Sequence, residues 1–131
     1  MANSQAIITH YDKPMWASIH RHRWELPRCD DCGTTHYPPS PVCQRCLSMD
    51  LTWKPLSGGG KIISWVVFHK RYFDDFPPPY NVVTVQLDEG PLVITNLVGE
   101  QPLDGWIDRR VEVVYEPDLR GEALPKVRLV P

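Results

Sequence analysis

Residues 28–47 read RCDDCGTTHYPPSPVCQRCL, and this stretch decides the fold. It holds two Cys-x2-Cys pairs with ten residues between them, formed by Cys29, Cys32, Cys43 and Cys46. Each x2 spacing makes a tight turn that aims two sulfurs at a common point, so the pairs offer the four thiolates of a closed structural zinc site. Gly33 follows one pair, where such a turn needs a residue with backbone freedom. The spacing predicts a rubredoxin-like zinc ribbon, with iron in the same site as the main competitor.

Other uses of these cysteines fit the sequence less well. A thioredoxin-like redox pair should follow a strand and open a helix, whereas prolines crowd both pairs here. A catalytic zinc keeps an open coordination position, which four sulfurs do not leave. His36 lies between the pairs and could replace one ligand, but with four cysteines present it is interpreted as an ordinary loop histidine.

The composition of the whole chain of 131 residues excludes several classes of protein. Fourteen prolines and eight glycines disfavour long helices, and with them a helical bundle or a doubly wound α/β domain. Hydrophobic residues make up 42% and charged residues 23%, as in ordinary globular proteins. The formal charge of −2 is not that of a protein built to hold polyanions.

The sequence also carries no membrane or export signal of the usual kinds. No apolar stretch approaches the roughly 18 residues needed to span a bilayer. The N-terminus has no basic-then-apolar secretory pattern. We therefore expect a cytoplasmic protein without a membrane partner, whose reduced cysteines favour a metal over disulfides.

Three segments differ in composition and predict a mainly β protein. They are an N-terminal helical arm over residues 1–27, the zinc ribbon over 28–57, and a five-stranded OB-fold barrel over 58–131. The ribbon segment cannot bury much apolar area, so it depends on its metal. A structural zinc contributes about 10–16 kcal/mol at neutral pH, which matches the stability of a whole domain.

In the arm, Asp12 is the expected N-cap of one helix, with Pro14 in its first turn and Pro27 as its stop. One face at helical spacing carries Trp16, Ile19 and Arg23. The basic run His20–Arg23, which includes Arg21, is typical of a solvated helix face.

The barrel segment begins at the turn residues 58–60 and contains short Val- and Ile-rich runs bounded by Gly, Pro and Asp. The predicted strands are Lys61–His69, Tyr80–Asp88, Pro91–Val98, Val111–Glu116 and Lys126–Val130. Residues 88–91 form a tight hairpin, and the longer link 99–110 has room for one helical turn around Trp106. Five short strands with this wide gap match a small Greek-key barrel of the OB type.

The connection between the first two barrel strands is a second candidate site. Two cations and four aromatic residues lie near a stiff run of three prolines: Lys70, Arg71, Tyr72, Phe73, Phe76 and Tyr80. In OB folds this loop often binds ligands. One interpretation is a contact surface, with aromatic residues for a partner protein and Lys70 and Arg71 for a phosphate. The other is a long loop whose aromatic residues fold back on the barrel mouth.

No recognised arrangement of nucleophile and base stands out in the sequence, so catalysis by the isolated chain is the weaker hypothesis. A nucleic-acid-binding module is the alternative, because zinc ribbons and OB folds both serve that role. Residues 58–131 hold eight Lys or Arg against eleven Asp or Glu, a net charge of −3. A groove that tracks a phosphate backbone should be basic, so we expect no nucleic-acid partner.

The order of helix, ribbon and barrel resembles the family of acyl-CoA-associated zinc-ribbon and OB-fold proteins, long known as a domain of unknown function. The residues that carry the resemblance are Met15 and Trp16, 28–33, 37–43, 57–60, Pro79 and Tyr80, 87–91, 95–99, 111–113 and 124–126. Together they cover about residues 14–131.

The resemblance implies a small, non-catalytic subunit that binds structural zinc through the four cysteines. Members accompany thiolase-like enzymes and, in other pathways, hydratases or aldolases that act on acyl-CoA thioesters. The small subunit supports assembly and helps to shape the acyl-CoA channel, with a CoA thioester as a shared ligand. Candidate partner contacts on the helix are Trp16, Arg21 and Arg23, beside the loop residues given above.

The chain departs from the family pattern at three places. Leu47 stands where the residue after the last cysteine is usually glycine, so this turn should form less freely. Asp108 replaces a glycine before a barrel strand, and aspartate tolerates a left-handed backbone. The helix carries His20–Arg23 where acidic residues or glycine are common, which changes any interface there.

Overall fold

The computed structural model describes residues 8–74, 76–118 and 121–131. The elements in this part are α1 (Lys13–His20), β1 (Glu25–Cys29), β2 (Leu51–Pro55), β3 (Gly59–Phe68), β4 (Tyr80–Leu87), β5 (Leu92–Thr95), β6 (Arg110–Pro117) and β7 (Ala123–Leu129). Strands β1 and β2 form a small antiparallel sheet, and the larger sheet has the order β5-β4-β3-β6-β7. The mainly β class is confirmed, and the five strands predicted for the barrel correspond to β3–β7.

The larger sheet curls until its two outer strands meet. Leu97, just after β5, forms a parallel bridge with Val127 of β7. The Val98 N–H donates a hydrogen bond to the Val127 carbonyl at 2.8 Å, and the Thr95 hydroxyl donates to the Pro125 carbonyl at 2.7 Å. This strand order and closure give the half-barrel of an OB-like fold.

Close backbone packing explains the glycines at the barrel entrance. A Cβ on Gly60 would lie 2.7 Å from the Gln86 carbonyl oxygen on the neighbouring strand. A Cβ on Gly59 would lie 2.9 Å from a guanidinium nitrogen of Arg110, which pairs with both oxygens of Asp88 at 2.7 and 2.9 Å. Gly60 therefore allows β3 to lie close to the backbone of β4. Gly59 leaves room for the ion pair that joins the end of β4 to the start of β6.

One continuous core joins the helix, the ribbon and the barrel. Strand β4 alternates strictly between buried and half-buried residues, as expected for a sheet with one face inside. Met15, Ile19, Trp24 and Leu26, from the arm and β1, pack with the barrel residues in the same cluster. The ribbon is therefore attached to the barrel through buried apolar side chains as well as through the chain itself.

The helix begins as predicted and ends earlier than predicted. Asp12 occupies the N-cap with Pro14 in the first turn, although the Asp12 side chain makes no capping hydrogen bond. The prediction that the helix continues to Pro27 is wrong, because β1 already begins at Glu25. No helix in the described part of the chain is long and apolar enough to cross a membrane.

A serine inside the helix explains the early end. The Arg23 N–H donates to the Ser18 carbonyl at 3.0 Å, and the Glu25 N–H donates to the Ser18 hydroxyl at 2.9 Å. His22 adopts a left-handed φ of +58°, which turns the chain back toward the barrel. Arg23 therefore lies outside the helix, and Pro27 lies within the edge strand β1.

The link 99–110 contains a turn and no helical turn around Trp106. Trp106 is instead buried, and its ring stacks on that of Trp65 with centroids 4.5 Å apart. Asp108 takes a left-handed φ of +66°, so this aspartate accommodates the conformation expected of a glycine there. Burial of the Trp106 ring determines the conformation of this link, although local propensity alone would allow a helical turn.

Candidate metal centre and candidate partner surface

The first cysteine pair forms a tight turn at the end of β1. The Gly33 N–H donates to the Cys29 carbonyl at 2.9 Å, and the Cys29 N–H donates to the Thr34 carbonyl at 2.9 Å. Gly33 has a left-handed φ of +78°. In this conformation the two sulfurs of the pair lie within 4.8 Å of each other.

The second pair repeats the same hydrogen bonds. The Leu47 N–H donates to the Cys43 carbonyl at 2.9 Å, and the Cys43 N–H donates to the Ser48 carbonyl at 2.8 Å. Leu47, with φ +65°, adopts the left-handed conformation that Gly33 has in the first turn. The exchange of glycine for leucine therefore keeps the turn, at a cost of about 1–2 kcal/mol for a side chain in this conformation.

The two turns bring the four sulfurs together. The Sγ atoms of Cys29, Cys32, Cys43 and Cys46 all lie within 4.8 Å of one another. Cys29 is 3.6 Å from Cys46, and Cys32 is 3.5 Å from Cys43. A tetrahedral ion with zinc–sulfur bonds of 2.3 Å places its sulfurs about 3.8 Å apart. The donor set therefore fits a tetrahedral metal.

The sulfurs also differ in how readily they lose a proton. Hydrogen bonding to Thr34 lowers the pKa of Cys32 to about 6. A backbone hydrogen bond from Ser48 lowers the pKa of Cys46, but desolvation and the three neighbouring thiols outweigh it and raise that pKa to about 12. Four thiolates this close repel one another, and a divalent cation at their centre removes the repulsion.

His36 lies against this cluster, although the sequence favoured an ordinary loop position for it. It is 7% exposed, and its Nε2 is 3.2 Å from the Cys43 sulfur. Its backbone N–H donates to the Pro27 carbonyl at 2.9 Å. The interpretation of His36 as an ordinary loop residue therefore needs correction, because the ring contacts a sulfur of the metal-binding cluster.

Polar side chains tie the turns to each other and to β2. The Ser48 hydroxyl, in the second turn, donates to a carboxylate oxygen of Asp31 in the first. The Thr52 hydroxyl on β2 donates to Asp30 at 2.9 Å. These bonds hold the loop that carries Cys43 against the one that carries Cys32.

The loop between β3 and β4 brings its aromatic residues into one cluster. Phe68 contacts Tyr72 and Tyr80 with ring centroids 5.8 and 5.3 Å apart, and Phe76 contacts Tyr80 at 5.6 Å. Tyr72 is nevertheless 49% exposed and Phe73 40% exposed. The aromatic residues thus pack back on the hairpin while part of their apolar surface stays exposed to solvent. Their contact with a partner stays a prediction.

The predicted cations lie at the same end of the molecule. Lys70 places its Nζ 5.4 Å from the Tyr72 ring centroid, and the Arg71 guanidinium donates to the Asp74 carbonyl at 3.3 Å. Phe73, Phe76 and Tyr80 line a cleft of about 210 Å³ with neighbouring residues of β4 and β5.

The helix residues are tied to other elements. Helix α1 packs on β1 and β7. Trp16 is half-buried against the core, and Arg21 pairs with Glu25 at 3.0 Å. Arg23 is exposed after the helix end. The structure therefore places the loop residues in one cluster, whereas Trp16 packs on the core, Arg21 pairs with Glu25 of β1, and Arg23 stays exposed.

Ribbon, metal-binding cluster and half-barrel together define a zinc-ribbon and OB-fold protein. Two family models match adjacent parts of the chain: the rubredoxin-like zinc ribbon domain of ChsH2 over residues 16–52 and the C-terminal OB-fold domain of ChsH2 over residues 53–116. A DUF35 domain-containing scaffold protein of Pyrococcus furiosus is 30% identical over 109 residues, 78% of this chain and 79% of that protein. The chain belongs to this DUF35, or ChsH2-type, family.

Two further relatives are parts of enzymes. A probable enoyl-CoA hydratase alpha subunit of Thermomonospora curvata is 36% identical over 92 residues, 70% of this chain and 29% of that subunit. This chain therefore spans less than a third of that relative. A solved structure described as Ltp2-ChsH2(DUF35) aldolase superposes with a TM-score of 0.85 at 30% identity, over 95% of this chain and 98% of the matched one. The predicted family is confirmed, with hydratase and aldolase names among its members.

Proposed function

We propose that this chain is a zinc-stabilised accessory subunit of an acyl-CoA-processing complex, in which a larger thiolase-like subunit performs the bond chemistry. The observation that supports this most strongly is the match over nearly the whole chain to the DUF35 component of the Ltp2-ChsH2 aldolase. Hydratase alpha subunits among the relatives support the same substrate class, acyl-CoA thioesters. A cytoplasmic location is part of the proposal, because the metal needs reduced cysteines.

The metal has a structural task in this proposal. Cys29, Cys32, Cys43 and Cys46 are its ligands, and a set of four thiolates leaves no position for substrate. When bound, the ion holds the two turns and with them β1, whose Leu26 enters the shared core. The ribbon thereby becomes a rigid part of the scaffold.

We assign contacts with the partner and with CoA to the residues of the β3–β4 loop and to those in and just after the helix. The aromatic cluster of Tyr72, Phe73, Phe76 and Tyr80 contacts the partner, and Lys70 and Arg71 contact a phosphate of the CoA thioester. The helix group of Trp16, Arg21 and Arg23 forms a second contact. Aromatic side chains and arginines suit such roles because they give large contact area and strong pairing.

Co-purification from the native host tests the proposal directly. We expect the tagged chain to retain a thiolase-like protein, and acyl-CoA cleavage or thiolysis to need both proteins. Turnover of an acyl-CoA by the isolated chain would contradict an accessory role. Salt-sensitive retention of single-stranded DNA would instead support the nucleic-acid alternative.

Two variants then separate the partner contact from the CoA contact. Phe73→Ala with Phe76→Ala should weaken the complex without loss of zinc. Lys70→Gln with Arg71→Gln should raise the Michaelis constant for the CoA thioester in the intact complex. An unchanged complex in the first case, or an unchanged Michaelis constant in the second, would refute that assignment.

A further inference from the structure

The outer face of β3 and β4 is apolar near the hairpin tip. Val83 is fully buried, so the alternation along β4 sends Tyr80 and Val82 to the outer side. The pairing register places Val66 opposite Val82 and Phe68 opposite Tyr80. Four apolar side chains therefore lie next to one another on the face of the sheet that does not contribute to the core.

Strand β5 and the loop extend this face. Ile94 lies opposite Thr84, so it is on the same side of the sheet, and it is 71% exposed, while Val66 is 50% exposed. Phe73 and Phe76 border the cleft that Ile94 helps to line. An antiparallel sheet that faces water is normally polar on its outer side, and a contiguous apolar patch on a surface marks an interaction site.

The contiguous part of this apolar surface lies at one end of the sheet. At the other end the outer side chains are Lys61 and Gln86, with an exposed Leu92 of β5 beside Gln86. Strand β6 pairs with β3 only as far as Lys61, and the residues just before β6, Asp108 and Arg109, make the last hydrogen bonds with Ile62. Beyond that point, within the described residues, β3 pairs with a strand on one side only, so the apolar end also presents an open strand edge.

Positive charge borders this end of the sheet. The Lys126 Nζ lies 5.1 Å from the Phe76 ring centroid and donates to the Asn96 side-chain oxygen at 2.7 Å. Lys70 lies over Tyr72, and Asp74 is an acidic residue at the same border. Carboxylates on a partner complement such a border, whereas a second basic surface would be repelled.

We infer that the outer face of β3, β4 and β5, centred on Val66, Val82 and Ile94, is where the catalytic subunit docks. The inference rests on the proposed function and adds the chemistry of the partner surface: aliphatic and aromatic side chains surrounded by Asp and Glu. Docking buries the exposed valine and isoleucine, covers the open edge of β3 and brings acidic side chains of the partner to the border that Lys126 occupies. The structural relative was likewise solved as a two-protein aldolase, Ltp2-ChsH2.

Single charges placed in the centre of the face test the inference. Ile94→Asp and Val66→Asp alter exposed side chains, so zinc content and the circular dichroism spectrum should remain those of the wild type. We expect each to weaken binding to the co-purified enzyme, measured by isothermal titration calorimetry, by at least about 30-fold, as for a central interface residue. Leu103→Asp is the matched control, because Leu103 is a fully exposed leucine on the link 99–110.

The outcomes separate this inference from the proposed function. A wild-type chain that binds the enzyme, together with face variants that bind equally well, overturns the docking face and leaves the proposed function intact. A wild-type chain that binds no acyl-CoA enzyme refutes both. A dimer of the isolated chain that Ile94→Asp dissociates would assign the face to a second copy and overturn the inference. Lys126→Gln should reduce the salt dependence of binding, and an unchanged salt dependence would refute the acidic border.

Discussion

Substitution of His36 by phenylalanine should weaken zinc binding while leaving all four sulfurs in place. The His36 ring is almost fully buried, with Nε2 3.2 Å from the Cys43 sulfur. In the metal-bound site Cys43 is a thiolate, which only accepts hydrogen bonds, so the imidazole must present an N–H to it. This hydrogen bond stabilises the negative charge of the thiolate and fixes the orientation of the Cys43 side chain. Phenylalanine fills a similar volume and removes the donor.

The size of the effect follows from the type of bond. A hydrogen bond to a charged group contributes about 1.5–3 kcal/mol, and each 1.4 kcal/mol is a factor of ten in affinity. Loss of the His36 donor should therefore lower zinc affinity about 10- to 100-fold, the range typical of residues that support metal ligands. Because Cys29, Cys32, Cys43 and Cys46 are unchanged, the zinc content at saturation should stay at the wild-type value.

Competition with a chromophoric chelator at fixed pH measures this affinity. His69→Phe is the matched control, since it makes the same exchange at an exposed histidine in the β3–β4 loop. His36→Gln should recover part of the affinity, because its amide offers an N–H donor. Wild-type affinity in His36→Phe would refute the hydrogen bond. Loss of zinc in His36→Phe even at saturation would instead identify His36 as a ligand.

Three other substitutions test the scaffold. Cys43→Ser should lower bound zinc and increase amide hydrogen exchange throughout the ribbon, and an unaltered ribbon with full zinc content would contradict the metal's structural role. Gly60→Ala should destabilise the fold by about 1–3 kcal/mol, and more than Gly59→Ala, in urea unfolding, because its Cβ meets a backbone carbonyl and not mobile side chains. The Arg110 guanidinium lowers the pKa of Asp88, so this pair stabilises the fold above the unfolded-state pKa of about 3.9 and loses that effect as pH falls through the lower folded value. Asp88→Asn should therefore reduce the loss of stability as pH falls below about 5 and through the lowered pKa of Asp88, and an unchanged dependence of stability on pH in this range would contradict the pairing.

The barrel was predictable from sequence because its strands follow a simple rule. Alternating Val and Ile residues with Gly, Pro and Asp at the ends specify a half-buried strand without reference to distant residues. The same rule missed β1 and β2, which are short and include Pro27 and Pro55. Their pairing depends on the metal-binding turns and on the shared core, which no local pattern displays.

The helix was predicted to continue to Pro27 for a related reason. Helical spacing continues through Leu26 in the sequence, but one serine hydroxyl accepts the Glu25 N–H and the burial of Trp24 and Leu26 directs the chain into a strand. Tertiary contacts outweigh a propensity of a few tenths of a kcal/mol per residue. His36 was missed for the same reason, since its contact with Cys43 arises from the path of a proline-rich loop. A histidine between two cysteine pairs is the one sequence signal that could have suggested it.

The charge distribution indicates that the partner is recognised by short-range contacts and not by long-range electrostatic attraction. Four thiolates with one divalent cation bring the formal charge of the chain from −2 to about −4, so the molecule as a whole repels acidic partners. The cations at the proposed docking face oppose this sign only locally. At physiological ionic strength charges act over about 8 Å, so Lys126 affects a carboxylate that is nearly in contact and does little to attract it from afar. Burial of Val66, Val82 and Ile94 must then supply most of the affinity, while the cations select the orientation. A groove for nucleic acid would need the reverse arrangement, with positive charge over the whole barrel, and the barrel segment is net −3.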